Sequence, residues 1–202
     1  MSTALPRALA GLAAICAVHA CATDLEVHLP AAPDASGLPG VIYLLAAGGH
    51  AVAHGASGAV IDQVNRQFVP QVSVIETGAA VTFPNKDNIR HHVYSFSPAK
   101  PFELKLYSGR PANPVVFDHA GLVTLGCNIH DVMLGYVLVV DTPYHTVSQA
   151  DGTAVLHDVP AGDWQLHAWL PGLHEPGLVP RNVHVPPTGK LRIDVSAADA
   201  HS

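Results

Sequence analysis

Apolar residues recur along the chain in short runs of strand length. They include "GVIYLL" (40–45), "QVSVIE" (71–76), "AAVTFP" (79–84), "HVYSFS" (92–97), "LVTLG" (122–126) and "GYVLVVD" (135–141). Further on come "TAVLHDV" (153–159), "WQLHAWL" (164–170), "NVHV" (182–185) and "LRIDVS" (191–196). Many alternate apolar and polar positions, which places every second side chain on one face of a strand. Others are continuous, as in strands buried on both faces, and turn-forming residues separate them. Helical periodicity is nearly absent beyond the first two dozen residues. The pattern predicts an all-β chain.

Two stretches break the rhythm. "SPAKPFELKLYSGRPANP" (97–114) is rich in proline and reads as a long connection. After Asp141 the grammar becomes that of hairpins: a turn at Asp151-Gly152, a strand, a turn at Pro160-Ala161-Gly162, another strand.

Composition supports a packed β protein. Of 202 residues, 49% are hydrophobic and 13% charged, so a core is feasible and disorder is not expected. The net charge of −6 argues against nucleic acid as a partner. The opening "MSTALPRALAGLAAICAVHACAT" has one basic residue, an apolar run from Ala8 to Val18, then small residues. It reads as a signal peptide over 1–22, directing the chain to the periplasm or outside the cell. The apolar run is short for a membrane span, and no other segment is a candidate. A lipidated Cys21 is the weaker alternative, because His19 fits such a site poorly. Cleavage would remove Cys16 and Cys21 and leave Cys127 as a lone thiol. It would also remove Arg7, taking the net charge to −7. Lys86, Arg90, Lys100, Lys105 and Arg110 then cluster as five of the nine remaining basic residues, on loop surface or in a docking patch.

An exported lone thiol calls for an explanation, since such proteins usually pair their cysteines. In "GCNIHDVM" (126–133), Cys127, His130 and Met133 supply a thiol, an imidazole and a thioether at close spacing. Alone, Cys127 reads as a small buried hydrophobe and Met133 as core filler. Together they are soft and borderline metal donors. One Cys and two His in a trigonal set, with a weak axial Met, are the donors of a type 1 (blue) copper site. Zinc rarely takes Met and favours a closed tetrahedral set. The missing imidazole is available in "FPNKDNIRHHVYSF" (83–96), where His91 and His92 open a strand. Adjacent strand residues face opposite sides, so one of them can reach the site and the other cannot.

At this point a resemblance becomes specific. "AGLVTLGCNIHDVMLGYVLVV" (120–140) resembles the copper loop of the cupredoxins, and its Cys-x2-His-x2-Met spacing is similar to that of amicyanin. "VTFPNKDNIRHHVYSF" resembles the family's strand–turn–strand that carries the remote ligand. The family's aromatic precedes that ligand by eight positions, which from Phe83 gives His91. His92 falls where many members have Asn. The resemblance spans roughly 58–141 and implies a Greek-key β-sandwich holding one copper through His91, Cys127, His130 and Met133. His92, Asn128 and Asn85 are the candidates for the surrounding layer or for an alternative ligand. Ile129, Val132 and Leu134 are the candidates for an apolar docking patch around His130. The chain also looks like exported proteins called methylamine utilisation proteins, a name that does not by itself carry a metabolic role.

"ADGTAVLHDVPAGDWQLHAWLPG" is similar to the transthyretin-like, carboxypeptidase-regulatory β-sandwich. The resemblance implies a smaller β-domain over 142–197, with a tail at 198–202. Residues 23–57 are expected to add strands to it, so that the copper domain (58–141) is inserted into a split sandwich. Two tandem domains are the alternative.

The expected function is one-electron transfer between redox partner proteins, such as a cytochrome c or a dehydrogenase, by a monomer that is not an enzyme. A copper-binding or copper-delivery module without redox turnover is the alternative. A thiol enzyme, with Cys127 as nucleophile and a His as base, is a third reading; the Met and the β-sandwich context weigh against it, and nothing resembles a helix-borne Cys or an oxyanion site. A multicopper oxidase would need paired His-x-His motifs, and none occurs. "HAWLPGLHE" (167–175) brings His167, His174 and Glu175 close in sequence without a spacing that fixes a site.

Overall fold

A computed structural model describes residues 22–32, 36–130, 132–173 and 180–196. The leader up to Cys21, His174, Glu175 and the tail lie outside the described residues. Among the described residues there are strands and no helix, as the alternation predicts.

Two strands come first, β1 (Ala22–His28) and β2 (Val41–Ala46). Ten follow: β3 (Ala59–Val60), β4 (Asp62–Val64), β5 (Gln67–Val69), β6 (Val72–Glu76), β7 (Ala79–Thr82), β8 (His91–Ser95), β9 (Phe102–Tyr107), β10 (Val115–Phe117), β11 (Gly121–Cys127) and β12 (Leu134–Val140). The last five are β13 (His145–Val147), β14 (Thr153–Pro160), β15 (Gly162–Trp169), β16 (Arg181–Val185) and β17 (Gly189–Asp194).

The middle ten build one sandwich. A sheet of order β6-β12-β11-β8-β9 packs against one of order β10-β7-β3, with the β4–β5 hairpin beside them. Phe68, Phe83, Phe117, Val93, Val123, Val137 and Cys127 share its core. The outer seven build a second sandwich from sheets β14-β1-β17 and β13-β2-β15-β16. Here β1 runs antiparallel to β14 and parallel to β17, and β2 lies between β13 and β15. The chain therefore leaves this sandwich after β2, builds the other, and returns. Leu25, Ile42, Leu44, Leu156 and Leu166 lie in its core.

One strand serves two cores. In β12, Val137 and Val139 point into the first sandwich. Their neighbours Leu138 and Val140 point the other way, into a third cluster with Val41, Val72 and Trp169. This explains why 135–141 reads as a continuous apolar run: both faces are covered. The Trp169 ring, from β15, meets Tyr136 of β12 at 5.2 Å.

Two local features differ from the sequence reading. The proline-rich stretch 97–114 is not only a connection, because β9 lies within it and pairs antiparallel with β8. It is an edge strand with exposed Glu103 and Lys105, and charge on an edge hides its strand character. The β4–β5 hairpin turns at Asn65 and Arg66, both left-handed, with φ of 54° and 60°. Asn-Gly usually marks such turns, and Arg in the second position obscures this one.

Candidate metal centre

The site forms where β8 and β11 lie side by side. Cys127, the last residue of β11, is paired with Val93, and Gly126 with Tyr94. His91 opens β8, so the two side chains sit at the same end of the sheet. Along β8, His91, Val93 and Ser95 point inward, while His92 and Tyr94 point to the other face. Close approach explains Gly126: a Cβ there would lie 2.7 Å from the Tyr94 ring.

After Cys127 the chain folds back in two successive tight turns. The His130 N–H donates to the Cys127 carbonyl at 3.4 Å, and the Met133 N–H to the His130 carbonyl at 2.9 Å. These turns swing His130 over the cysteine. His91 Nδ1 lies 3.7 Å from Cys127 Sγ, and His130 Nδ1 lies 3.8 Å from it. The two rings stand 5.1 Å apart, inclined at 58°. Cys127 and His91 are buried and His130 is half-buried. Among the described residues this is the group of imidazole, thiol and carboxylate donors whose ligand atoms all lie within 4.8 Å of one another.

The spacing can be tested against coordination geometry. Metal–sulfur and metal–nitrogen bonds of about 2.3 and 2.0 Å, opened to a trigonal angle, place S and N about 3.7 Å apart. Both observed distances agree. Each imidazole nitrogen thus stands at coordination spacing from the sulfur. Met133 is buried in the same core as Cys127, with 2% of its surface exposed.

His91 is also held from behind. Its Nε2 lies 2.7 Å from Asp87 Oδ2. With that nitrogen donating, the lone pair is on Nδ1, the atom facing Cys127. Asp87 is fixed in turn. Its carboxylate accepts the backbone N–H groups of Asn65 at 2.6 Å and Arg66 at 2.9 Å, from the left-handed β4–β5 turn. Burial alone would push the Asp87 carboxyl up. The hydrogen bonds from Arg66, His91 and Asn65 outweigh it, and the net direction is down.

Asn85 closes the loop that carries Asp87. Its Nδ2 donates to the carbonyls of Ile89 at 2.8 Å and Tyr107 at 3.0 Å, while its Oδ1 accepts the Asp87 N–H at 3.0 Å. Its role is thus one step removed from the ligand ring. Tyr107, paired with His91 across the β8–β9 ladder, donates its hydroxyl to the Phe83 carbonyl at 2.6 Å and accepts from Gln63. Burial pushes its phenol up to about 12, with the Gln63 hydrogen bond opposing.

The other candidates lie outside the donor set. His92 Nε2 is 2.9 Å from Glu103 Oε1, on the opposite face from His91. Asn128 is exposed and lines a surface cavity with His92, Tyr94, Phe96 and Glu103. Ile129, Val132 and Leu134 are exposed by 47, 88 and 38%, forming an apolar rim on the loop that carries His130. Sequence reading missed Asp87. Its signal was weak but real: an acid four residues before the buried histidine, in a turn.

No protein-family model and no curated protein matches the chain. Solved structures give partial likenesses. A purple cupredoxin from Nitrosopumilus maritimus is 23% identical, with 40% of this chain and 95% of that one covered, at a TM-score of 0.35. An oxidised amicyanin variant is 28% identical over 48% of this chain and 91% of that one, at 0.35. A Cu-containing nitrite reductase from Thermus scotoductus SA-01 is 21% identical over 57% of this chain, at 0.38. In that case the match spans only 28% of the larger chain.

Proposed function

We propose that the chain is an exported type 1 copper protein of cupredoxin kind that carries single electrons between partner proteins. The observation that carries this reading is the triangle of His91 Nδ1, Cys127 Sγ and His130 Nδ1, set at coordination spacing with Met133 in the same core. Copper bound there would supply a one-electron Cu(II)/Cu(I) couple.

The chain's own residues do the rest. Neighbouring strands of a packed sheet fix His91 and Cys127, which limits how far either can move when the charge at the site changes. Asp87 holds the ring of His91 with Nδ1 turned toward Cys127. The buried core around Cys127 and Met133 keeps water from the sulfur donors. His130 lies at the rim among Ile129, Val132 and Leu134, where a partner's apolar surface could meet it. An acidic chain would favour a basic partner, with a faster encounter at low salt.

The test is one equivalent of Cu(II) added to purified protein, with visible and EPR spectra recorded beside those of Cys127→Ser. A strong thiolate-to-copper band in the wild type, lost in Cys127→Ser, together with reversible electrochemistry supports the carrier. A band without reversible electrochemistry, and with rapid loss of copper to a chelator, would favour a delivery module. No band at all would sink the type 1 reading.

A further inference from the structure

A second group of metal-binding side chains lies away from Cys127. Glu76 ends β6 in the first sandwich, His145 begins β13 in the second, and His54 lies in the connection between β2 and β3. One oxygen of Glu76 stands 3.1 Å from His54 Nδ1 and the other 3.7 Å from His145 Nε2. Each of the other His–carboxylate pairs among the described residues joins a single imidazole to its acid. Glu76 alone is bracketed by two.

The three side chains are enclosed yet reachable, with exposures of 17, 16 and 19% for His54, Glu76 and His145. The surroundings hold the segments together. The Val52 N–H donates to the Asp141 carbonyl at 2.9 Å, and Thr77 Oγ1 donates to the Asp141 carboxylate at 2.5 Å.

We propose that His54, Glu76 and His145 form a second binding site, for a zinc-class divalent transition ion, where the two sandwiches meet. Two imidazoles and a carboxylate are a known donor set for such ions, leaving a fourth position for water. Two donors bound at about 2.0–2.2 Å to one tetrahedral ion stand about 3.4 Å apart; Glu76 is near that spacing to each imidazole, but the three donor atoms do not all lie within 4.8 Å of one another. Binding therefore draws the side chains inward, and His54, outside any strand, has the freedom to follow. The site contains no sulfur, so it prefers a borderline ion and is independent of the copper reading. By joining a strand of each sandwich and the connection between them, a bound ion would staple the two bodies.

Zinc is titrated by calorimetry into the full chain carrying Cys127→Ser and His130→Ala, which removes two donors of the first site. One equivalent should bind, and adding Glu76→Gln or His145→Ala should weaken that event at least tenfold. His54→Ala, in the connection, should do the same without touching a strand. Circular dichroism confirms that each variant is folded. Zinc should also raise the thermal midpoint of the parent and leave that of Glu76→Gln unchanged. No zinc binding in the parent, or equal binding in folded Glu76→Gln and His54→Ala variants, overturns the proposal.

Discussion

Asp87 Oδ2 lies 2.7 Å from His91 Nε2, while the opposite nitrogen of the same ring stands 3.7 Å from Cys127 Sγ. One imidazole thus links a carboxylate fixed by the β4–β5 turn to the thiol at the end of β11. Such carboxylate–imidazole pairs orient a ligand and raise its basicity, and losing the outer partner typically costs about 10–100-fold in metal affinity. Asp87→Ala should show a copper affinity reduced by that order in competition with a chelator. Asp87→Asn can still accept from His91, so its loss should be smaller. Equal affinities in all three proteins would dismiss the ring-holding role.

His91 and His92 are adjacent in sequence and opposite in placement. His91 is fully buried beside Cys127, and His92 lies against Glu103 on the outer face. Replacing His91 by Ala should abolish the thiolate-to-copper band. Replacing His92 by Ala should retain it, because no donor is lost. A band that vanishes only in His92→Ala would mean that β8 is shifted by one residue, turning each of its side chains to the opposite face.

Much of this was legible in the sequence. Period-two alternation gave the strands, and the spacing of Cys127, His130 and Met133 gave the loop. What stayed hidden has physical causes. β9 is an edge strand whose charged residues imitate a loop. The β4–β5 turn uses Arg66 where Gly is usual. Asp87 needs a three-dimensional partner, the turn at Asn65 and Arg66, before its role can be seen at all. The pairing of β1 with β14, more than 100 residues apart, leaves no local trace in the composition of either strand; only the resemblance to a β-sandwich domain points to it.

Tyr107 makes a pH prediction. Its phenol is raised from 10.0 to about 12, chiefly by burial. A group held protonated in the fold contributes stability that is complete below its unfolded value and is lost as pH rises through the folded one. Wild-type stability should therefore decline between about pH 10 and 12, and Tyr107→Phe should flatten that decline. At neutral pH the variant loses a hydrogen bond, but Gln63 still donates to the Phe83 carbonyl at 3.0 Å. The cost should be about 0.5–1.5 kcal/mol rather than that of an orphaned buried carbonyl. Urea unfolding across this pH range measures both effects. An equally steep alkaline decline in Tyr107→Phe would assign it to other groups.

Trp169 tests the seam between the sandwiches. Its ring is 1% exposed and packs with Val41, Val72, Leu138 and Val140, while its Nε1 donates to the Leu173 carbonyl at 3.1 Å. Leu138 and Val140 alternate along β12 with Val137 and Val139, which line the core shared with Cys127. A cavity at Trp169 therefore abuts the strand that backs the metal centre without reaching the centre itself. Trp169→Ala should cost about 3–5 kcal/mol, the usual range for deleting a buried aromatic. Because the lost contacts join two bodies with separate cores, thermal unfolding should split into two steps, while the spectrum of the copper-loaded folded protein stays unchanged. Calorimetric scans of both proteins, read with the visible band, decide this. A single transition with a loss below about 1 kcal/mol would show that the seam contributes little to coupling the sandwiches.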